Sequence, residues 1–197
     1  MRWFRLIPAV LTAALLMTLT PVGAVQAAEC EVSRPVKFAG LDWQSNAFHV
    51  EVARFIMEKG YGCSTDSIPG STIPLLQGMA RGDLDVTMEL WRDNVEEAWA
   101  KIRKANQAEI LGVNFPDAIQ GWFVPRYLVE GSGAKAPGLK AVSDLPKYKQ
   151  LFRDPEEPSK GRFYNCILGW GCEVINTNKL KGYGLLSDYT NFRPGTG

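Results

Sequence analysis

The chain has 197 residues, 46% of them hydrophobic, with 22 basic against 21 acidic side chains. That near-balance excludes an electrostatic case for nucleic acid or an anionic membrane surface as the partner. The length allows one domain or two small lobes.

Arg2 and Arg5 precede an apolar stretch from Leu6 to Val25, and the small residues Val25 and Ala27 stand before a cleavage point after Ala27. Pro8, Pro21 and Gly23 interrupt the run and no charged stop-transfer segment follows, so the pattern predicts a leader over residues 1–27 and not an anchor. Losing Arg2 and Arg5 leaves 20 basic against 21 acidic residues, a charge of −1. The expectation is an exported, periplasmic protein with no membrane insertion after cleavage.

Val36 to Leu41 predicts a short buried strand, and Ser45 or Asn46 can cap a helix with Phe48, Val52, Phe55 and Ile56 on its apolar face. His49 falls outside that stripe and is expected at the surface. Gly60 and Gly62 end the helix. A strand near Ser64 to Ile68, a turn at Pro69-Gly70 and a helix carrying Ile73, Leu76, Met79 and Ala80 follow. Asp83 to Leu90 predicts a third strand, and a helix from about Asn94 buries Val95, Ala98, Trp99 and Ile102. This β-α-β-α-β-α rhythm is that of an α/β fold, a parallel sheet covered by helices. Such sheets bind ligands beyond the carboxyl ends of their strands, where Trp43 and Trp91 fall.

The remainder, residues 120–197, carries the chain into a second, partial lobe after a first lobe over 28–119. Ser143 to Phe152 predicts a short helix with Pro146 in its first turn. Phe163-Tyr164 predicts a strand, Cys172 to Leu180 a helix, and Tyr189 to Phe192 another strand.

In an oxidising compartment Cys30, Cys63, Cys166 and Cys172 favour disulfides, and one histidine with no CxxC pair speaks against zinc or redox chemistry. Local spacing favours Cys166 with Cys172, which leaves Cys30 for Cys63 at the same end of neighbouring strands. The sequence alone leaves the other pairings open.

Trp43, Trp91, Trp122 and Trp170 all lie at strand ends or in turns. A quaternary ammonium has no N–H to donate, so what attracts it is the electron-rich face of aromatic rings, each desolvated contact contributing roughly 0.5–2 kcal/mol. In Cys166-Ile-Leu-Gly-Trp170-Gly171-Cys172-Glu173 a small loop presents a tryptophan, a glycine permits close approach, and the next amides open a helix that favours an anion. Arg92, beside Trp91, is a candidate partner for a ligand carboxylate. No nucleophile elbow, phosphate-binding loop, paired metal ligands or acid–base carboxylate pair is present, so neither an enzyme nor a cofactor is expected.

From Cys30 to Gly197 the chain resembles the glycine betaine/proline betaine substrate-binding proteins of ABC importers, the ProX/OpuAC-like family. The resemblance rests on Gly60-Tyr61-Gly62-Cys63, Glu89-Leu90-Trp91, Gly121-Trp122-Phe123-Val124-Pro125, Phe163-Tyr164-Asn165-Cys166 through Glu173, and Tyr189 to Gly197. It implies a type II periplasmic-binding-protein fold whose two lobes close over a solute in an aromatic cage, delivered to an ABC permease. It carries over a Cys166–Cys172 bridge, Trp170 as a cage ring, and Gly171 and Cys172 amides for the ligand carboxylate. Trp43 and Trp91 match first-lobe cage positions in some members. A familiar relative has that tryptophan where this chain has Met88, and a histidine where this chain has Arg92. Relatives continue beyond the final Gly-Thr-Gly with another cage aromatic and a return into the first lobe, so the second lobe is expected to be incomplete and the chain alone to bind weakly or not at all.

Glycine betaine, with a carboxylate opposite its ammonium, is the leading ligand. Choline is the alternative if Asp42 or Glu89 faces a bare cation and its hydroxyl. Two other classes, a sensory or interaction domain of the same fold and an exported thiol–disulfide enzyme, complete the readings.

Overall fold

The computed structural model describes residues 29–195. The leader expected over 1–27 lies outside them. The first sheet pairs β1 (Val36–Leu41) with β2 (Thr65–Gly70) in parallel, Val36 opposite Thr65 and Leu41 opposite Gly70. The strand therefore runs through Pro69-Gly70, where the sequence suggested a turn.

Alternation along β1 explains how the sheet is covered. Val36 and Phe38 pack with Val50 of α1 (Gln44–Gly60), while Ala39 and Leu41 pack with Leu75 and Met79 of α2 (Thr72–Arg81). Successive side chains of a strand point to opposite faces, so two helices cover the two sides.

On α1 the sequence expectation chose the wrong face. Phe48, Val52, Phe55 and Ile56 are exposed, by 66%, 41%, 64% and 50%. Asn46, Val50, Ala53 and Met57, spaced four, three and four apart, face the sheet instead. Both stripes fit helical periodicity, and Asn46 decides between them: its Oδ1 accepts the Leu41 amide at 2.8 Å, closing the turn out of β1.

The third predicted strand shrinks to one bridge, Phe38 with Val86. Backbone bonds run from the Asp85 amide to the Lys37 carbonyl and from the Ala39 amide to the Val86 carbonyl. The Asp85 side chain adds to them, accepting from the Lys37 amide at 2.9 Å and from both terminal nitrogens of Arg34 at 2.7 Å. The Arg34 guanidinium holds the Asp85 carboxyl down at about 2. After Val86 the chain leaves the sheet for a 3-10 turn at Arg92–Asn94 and α3 (Glu96–Lys104). Val95 and Ile102 are buried and Trp99 packs beside them, but Ala98 is exposed. Glu96 and Glu97 at its start and Lys101, Arg103 and Lys104 at its end complement the helix dipole.

Past one turn of helix, α4 (Arg126–Val129), the helix predicted over Ser143 to Phe152 breaks into a 3-10 turn at Val142–Asp144, α5 (Leu145–Tyr148) and a second 3-10 turn at Lys149–Phe152. Pro146 has no N–H for the carbonyl four residues back, so a continuous α-helix cannot run through this start. β3 (Gly161–Tyr164), α6 (Gly171–Gly182) and β4 (Tyr189–Phe192) then make a parallel β-α-β unit, with Gly161 opposite Tyr189 and Tyr164 opposite Phe192. Its core is Leu180, Leu185 and Tyr189, with Trp122, Phe152 and Phe163 packed around it. Asp154 and Arg162 form an ion pair at 2.8 Å beneath β4, and the Arg162 guanidinium lies over the Phe192 ring. Hydrogen bonds from Arg162 and Thr190 hold the Asp154 carboxyl well below the usual range.

Two predictions follow from this packing. Leu180 is fully buried, so Leu180→Ala should cost roughly 2–5 kcal/mol in urea unfolding, whereas Phe55→Ala should change stability by about 0.5 kcal/mol or less. Burial pushes the Tyr189 hydroxyl up to about 12 from a usual 10.0. The folded state thus favours the protonated form, and the associated stability is present below pH 10 and lost as pH rises toward 12. The urea midpoint should fall across that window, and fall less steeply in Tyr189→Phe.

Candidate ligand-binding cleft

Four chain segments that leave the carboxyl ends of strands, or of the bridge at Val86, meet in one cleft. Trp43 comes from the turn after β1 and Ser45 from the start of α1, Thr72 from the start of α2, and Glu89, Trp91 and Asn94 from the segment after Val86. Trp170, Gly171 and Cys172 come from the loop after β3, and Gln120 from the stretch joining the two sheets. The cleft measures about 340 Å³, inside the range of roughly 300–1,000 Å³ usual for small-molecule sites.

The β3–α6 loop is held from behind by Asn165, which is 4% exposed. Its Oδ1 accepts the Cys166 amide at 2.7 Å and Asn176 Nδ2 at 2.9 Å, and its Nδ2 donates to Asn191 Oδ1 at 2.9 Å and to the Glu173 carbonyl at 3.2 Å. The Cys166–Cys172 disulfide closes the loop, and a second disulfide joins Cys30 to Cys63. No free cysteine occurs among the described residues. Buried Glu173, bonded to Arg193 Nε at 2.6 Å and Thr177 at 2.8 Å, stabilises the first turn of α6.

In front, the loop meets the N-terminal half. The Ile73 amide donates to the Gly169 carbonyl at 3.1 Å, and Trp170 Nε1 donates to Asp42 Oδ1 at 2.6 Å. The Trp43 and Trp170 rings meet edge to face, centroids 5.1 Å apart. Gly169 has φ +93°, a conformation few other residues adopt, and a Cβ there would strike Ser71. A Cβ on Gly171 would strike the Asn94 carbonyl and the Val95 side chain.

Glu89 is 6% exposed and forms part of the cleft wall. It accepts Ser45 Oγ and Trp91 Nε1, each at 2.9 Å, and His49 Nδ1 lies 3.6 Å away. His49 is therefore not the free surface residue expected: half-buried, it packs against Phe115 with a ring nitrogen that has no hydrogen-bond partner. At the start of α6 the Gly171 and Cys172 amides have no acceptor four residues back within the helix, and with the helix dipole they favour an anion. A pocket with aromatic walls, one buried carboxylate and one helix entrance suits a small cationic or zwitterionic solute.

Residues 34–197 match the family described as the substrate binding domain of ABC-type glycine betaine transport system, OpuAC. The chain belongs to this family. It is thus a substrate-binding component of a glycine betaine-type ABC transporter, with a periplasmic-binding-protein fold. No curated protein matches the chain. No helix among the described residues is long and apolar enough to cross a membrane, and none of their His, Cys, Asp and Glu side chains cluster to hold a metal.

Among the site residues expected from sequence, the structure brings Trp43, Trp91, Trp170, Gly171 and Cys172 together in this OpuAC cleft. Trp122 goes elsewhere: its ring packs on Phe163 at 4.7 Å and its Nε1 donates to Asn176 Oδ1 at 2.8 Å, in the C-terminal core. Arg92 is exposed on its 3-10 turn and does not line the cleft. The sequence reading missed Ser45, Thr72, Asn94 and Gln120 as cleft residues. Three of these follow the predicted strand ends within a few residues, and that position was the available signal; for Gln120 there was none.

Gly171→Ala tests the close approach of the loop. The added methyl should weaken docking of the loop on Asn94 by about 1–3 kcal/mol. Its readout is a reduced Trp43–Trp170 exciton band in circular dichroism, with helix content retained.

Proposed function

We propose that the cleft captures glycine betaine or a related quaternary-ammonium osmolyte, proline betaine included. The trimethylammonium group lies among the faces of Trp43, Trp91 and Trp170, and the ligand carboxylate turns toward the Gly171 and Cys172 amides. The observation that carries this reading is the meeting of three tryptophans from three separate loops beside a helix entrance. Cation–π attraction selects the permanent cation, and the helix entrance selects its carboxylate. The same arrangement suggests no bond-breaking step, consistent with capture and release.

In this reading residues 28–119 and 120–197 are two lobes, the loop contacts to Asp42 and Ile73 are contacts of the closed form, and an ABC permease receives the solute. The two disulfides support export by the leader over residues 1–27 to the periplasm. Choline is the second reading, favoured by one observation: Glu89 places a buried carboxylate in the cleft wall, where a cation without its own carboxylate would find a counter-charge.

Thermal unfolding with millimolar glycine betaine, choline or proline is the test. A ligand that binds only the folded state raises the midpoint, by about 2.7 kcal/mol of stabilisation at a hundredfold excess over Kd. Betaine should raise it and proline should not, and a larger rise with choline would favour the second reading. A cooperative transition unmoved by both quaternary amines would reject capture.

A further inference from the structure

The indole N–H groups divide by what they bond. Trp91 donates to the Glu89 carboxylate at 2.9 Å and Trp170 to the Asp42 carboxylate at 2.6 Å, and both rings line the cleft. Trp122, in the core, donates to the neutral amide of Asn176. The Trp43 N–H is buried with no partner at all. Two of the three cleft rings, Trp91 and Trp170, thus have carboxylate acceptors, and the core ring a neutral one.

This difference has a chemical consequence. An N–H bonded to a carboxylate forms a short, charge-assisted bond that fixes the plane of the ring. It also pushes electron density into the indole, deepening the negative potential on the face that a cation meets. The acceptor's own charge lies at the edge of the ring, and at buried Glu89 the surroundings screen it less than water would. Glu89 is held in turn by Ser45, with His49 at 3.6 Å, so its position is set from α1 as well as from its own segment. Asp42, in the turn after β1, reaches across to a ring carried by the other half of the chain.

We propose that Asp42 and Glu89 are positioning residues of the cage, which hold Trp170 and Trp91 and charge their faces, so that the site prefers a permanently cationic group over a neutral group of the same shape. The inference rests on the capture reading above and names what sets its selectivity.

The test compares glycine betaine with 3,3-dimethylbutyrate, which has the same shape and carboxylate but a quaternary carbon in place of nitrogen. Tryptophan fluorescence titrations of the purified protein give an affinity ratio for the two. Asp42→Asn and Glu89→Gln keep an oxygen acceptor of similar size and remove the charge. Each should lower the betaine-to-isostere ratio by about three- to tenfold, mainly by weakening betaine. Asp42→Glu, which keeps the charge, should keep the ratio near the wild-type value. Equal loss of both affinities, or an unchanged ratio in a protein that binds betaine, would overturn the inference and leave the capture reading standing. A wild-type protein that binds neither compound would overturn both. Asp42 is exposed, so its variant keeps the test decisive even if Glu89→Gln fails to fold.

Discussion

The approach of Gly169-Trp170-Gly171 to the N-terminal half is the contact on which the cleft depends. At this point backbone meets backbone, Gly169 carbonyl to Ile73 amide, with no room for a side chain at either glycine. Such proximity requires a loop that does not drift. Three constraints supply it: the disulfide across the loop, the hydrogen bonds of the Asn165 side chain behind it, and the buried Glu173 that secures the first turn of α6. Asn165 itself is buried, where an unmet polar group costs about 1–3 kcal/mol, so the network resists partial rearrangement. The loop either sits as a unit or leaves as a unit, which is the behaviour that a capture-and-release device needs.

Parallel strand geometry explains why the other walls arrive at the same place. In a parallel sheet every carboxyl end points the same way, so the turns after β1, β2 and the Val86 bridge emerge side by side. This part of the site was legible in the sequence, because strand ends and the tryptophans next to them can both be read without a structure. The β-α-β unit of the C-terminal half was equally legible, down to β4 at Tyr189 to Phe192. What escaped were choices between equivalent local patterns. α1 carries two apolar stripes of correct period, and the deciding residue is polar Asn46, whose bond to Leu41 has no signature in hydrophobic periodicity. Trp122 looks like its neighbours in chemistry and spacing, and only the tertiary position of Phe163 and Asn176 sends it to the core. Asp83 to Leu90 has strand character, yet the backbone bonds to β1 stop at the one from the Ala39 amide to the Val86 carbonyl, after which the segment leaves the sheet.

The charges around the cleft argue for how a zwitterion would be oriented. Asp42 and Glu89 place negative charge beside Trp170 and Trp91, while the start of α6 presents amides and the positive end of its dipole. A solute with an ammonium at one end and a carboxylate at the other meets complementary potential at both ends in one orientation and repulsion at both in the other. Like-charge contacts inside a poorly screened cleft weigh more heavily than at the surface, so the reversed pose is disfavoured twice over. A bare cation gains the aromatic and carboxylate side alone and leaves the helix entrance to water. In the capture reading, the second end of the ligand, and not the ammonium that all quaternary amines share, is the feature by which the protein would tell betaine from choline.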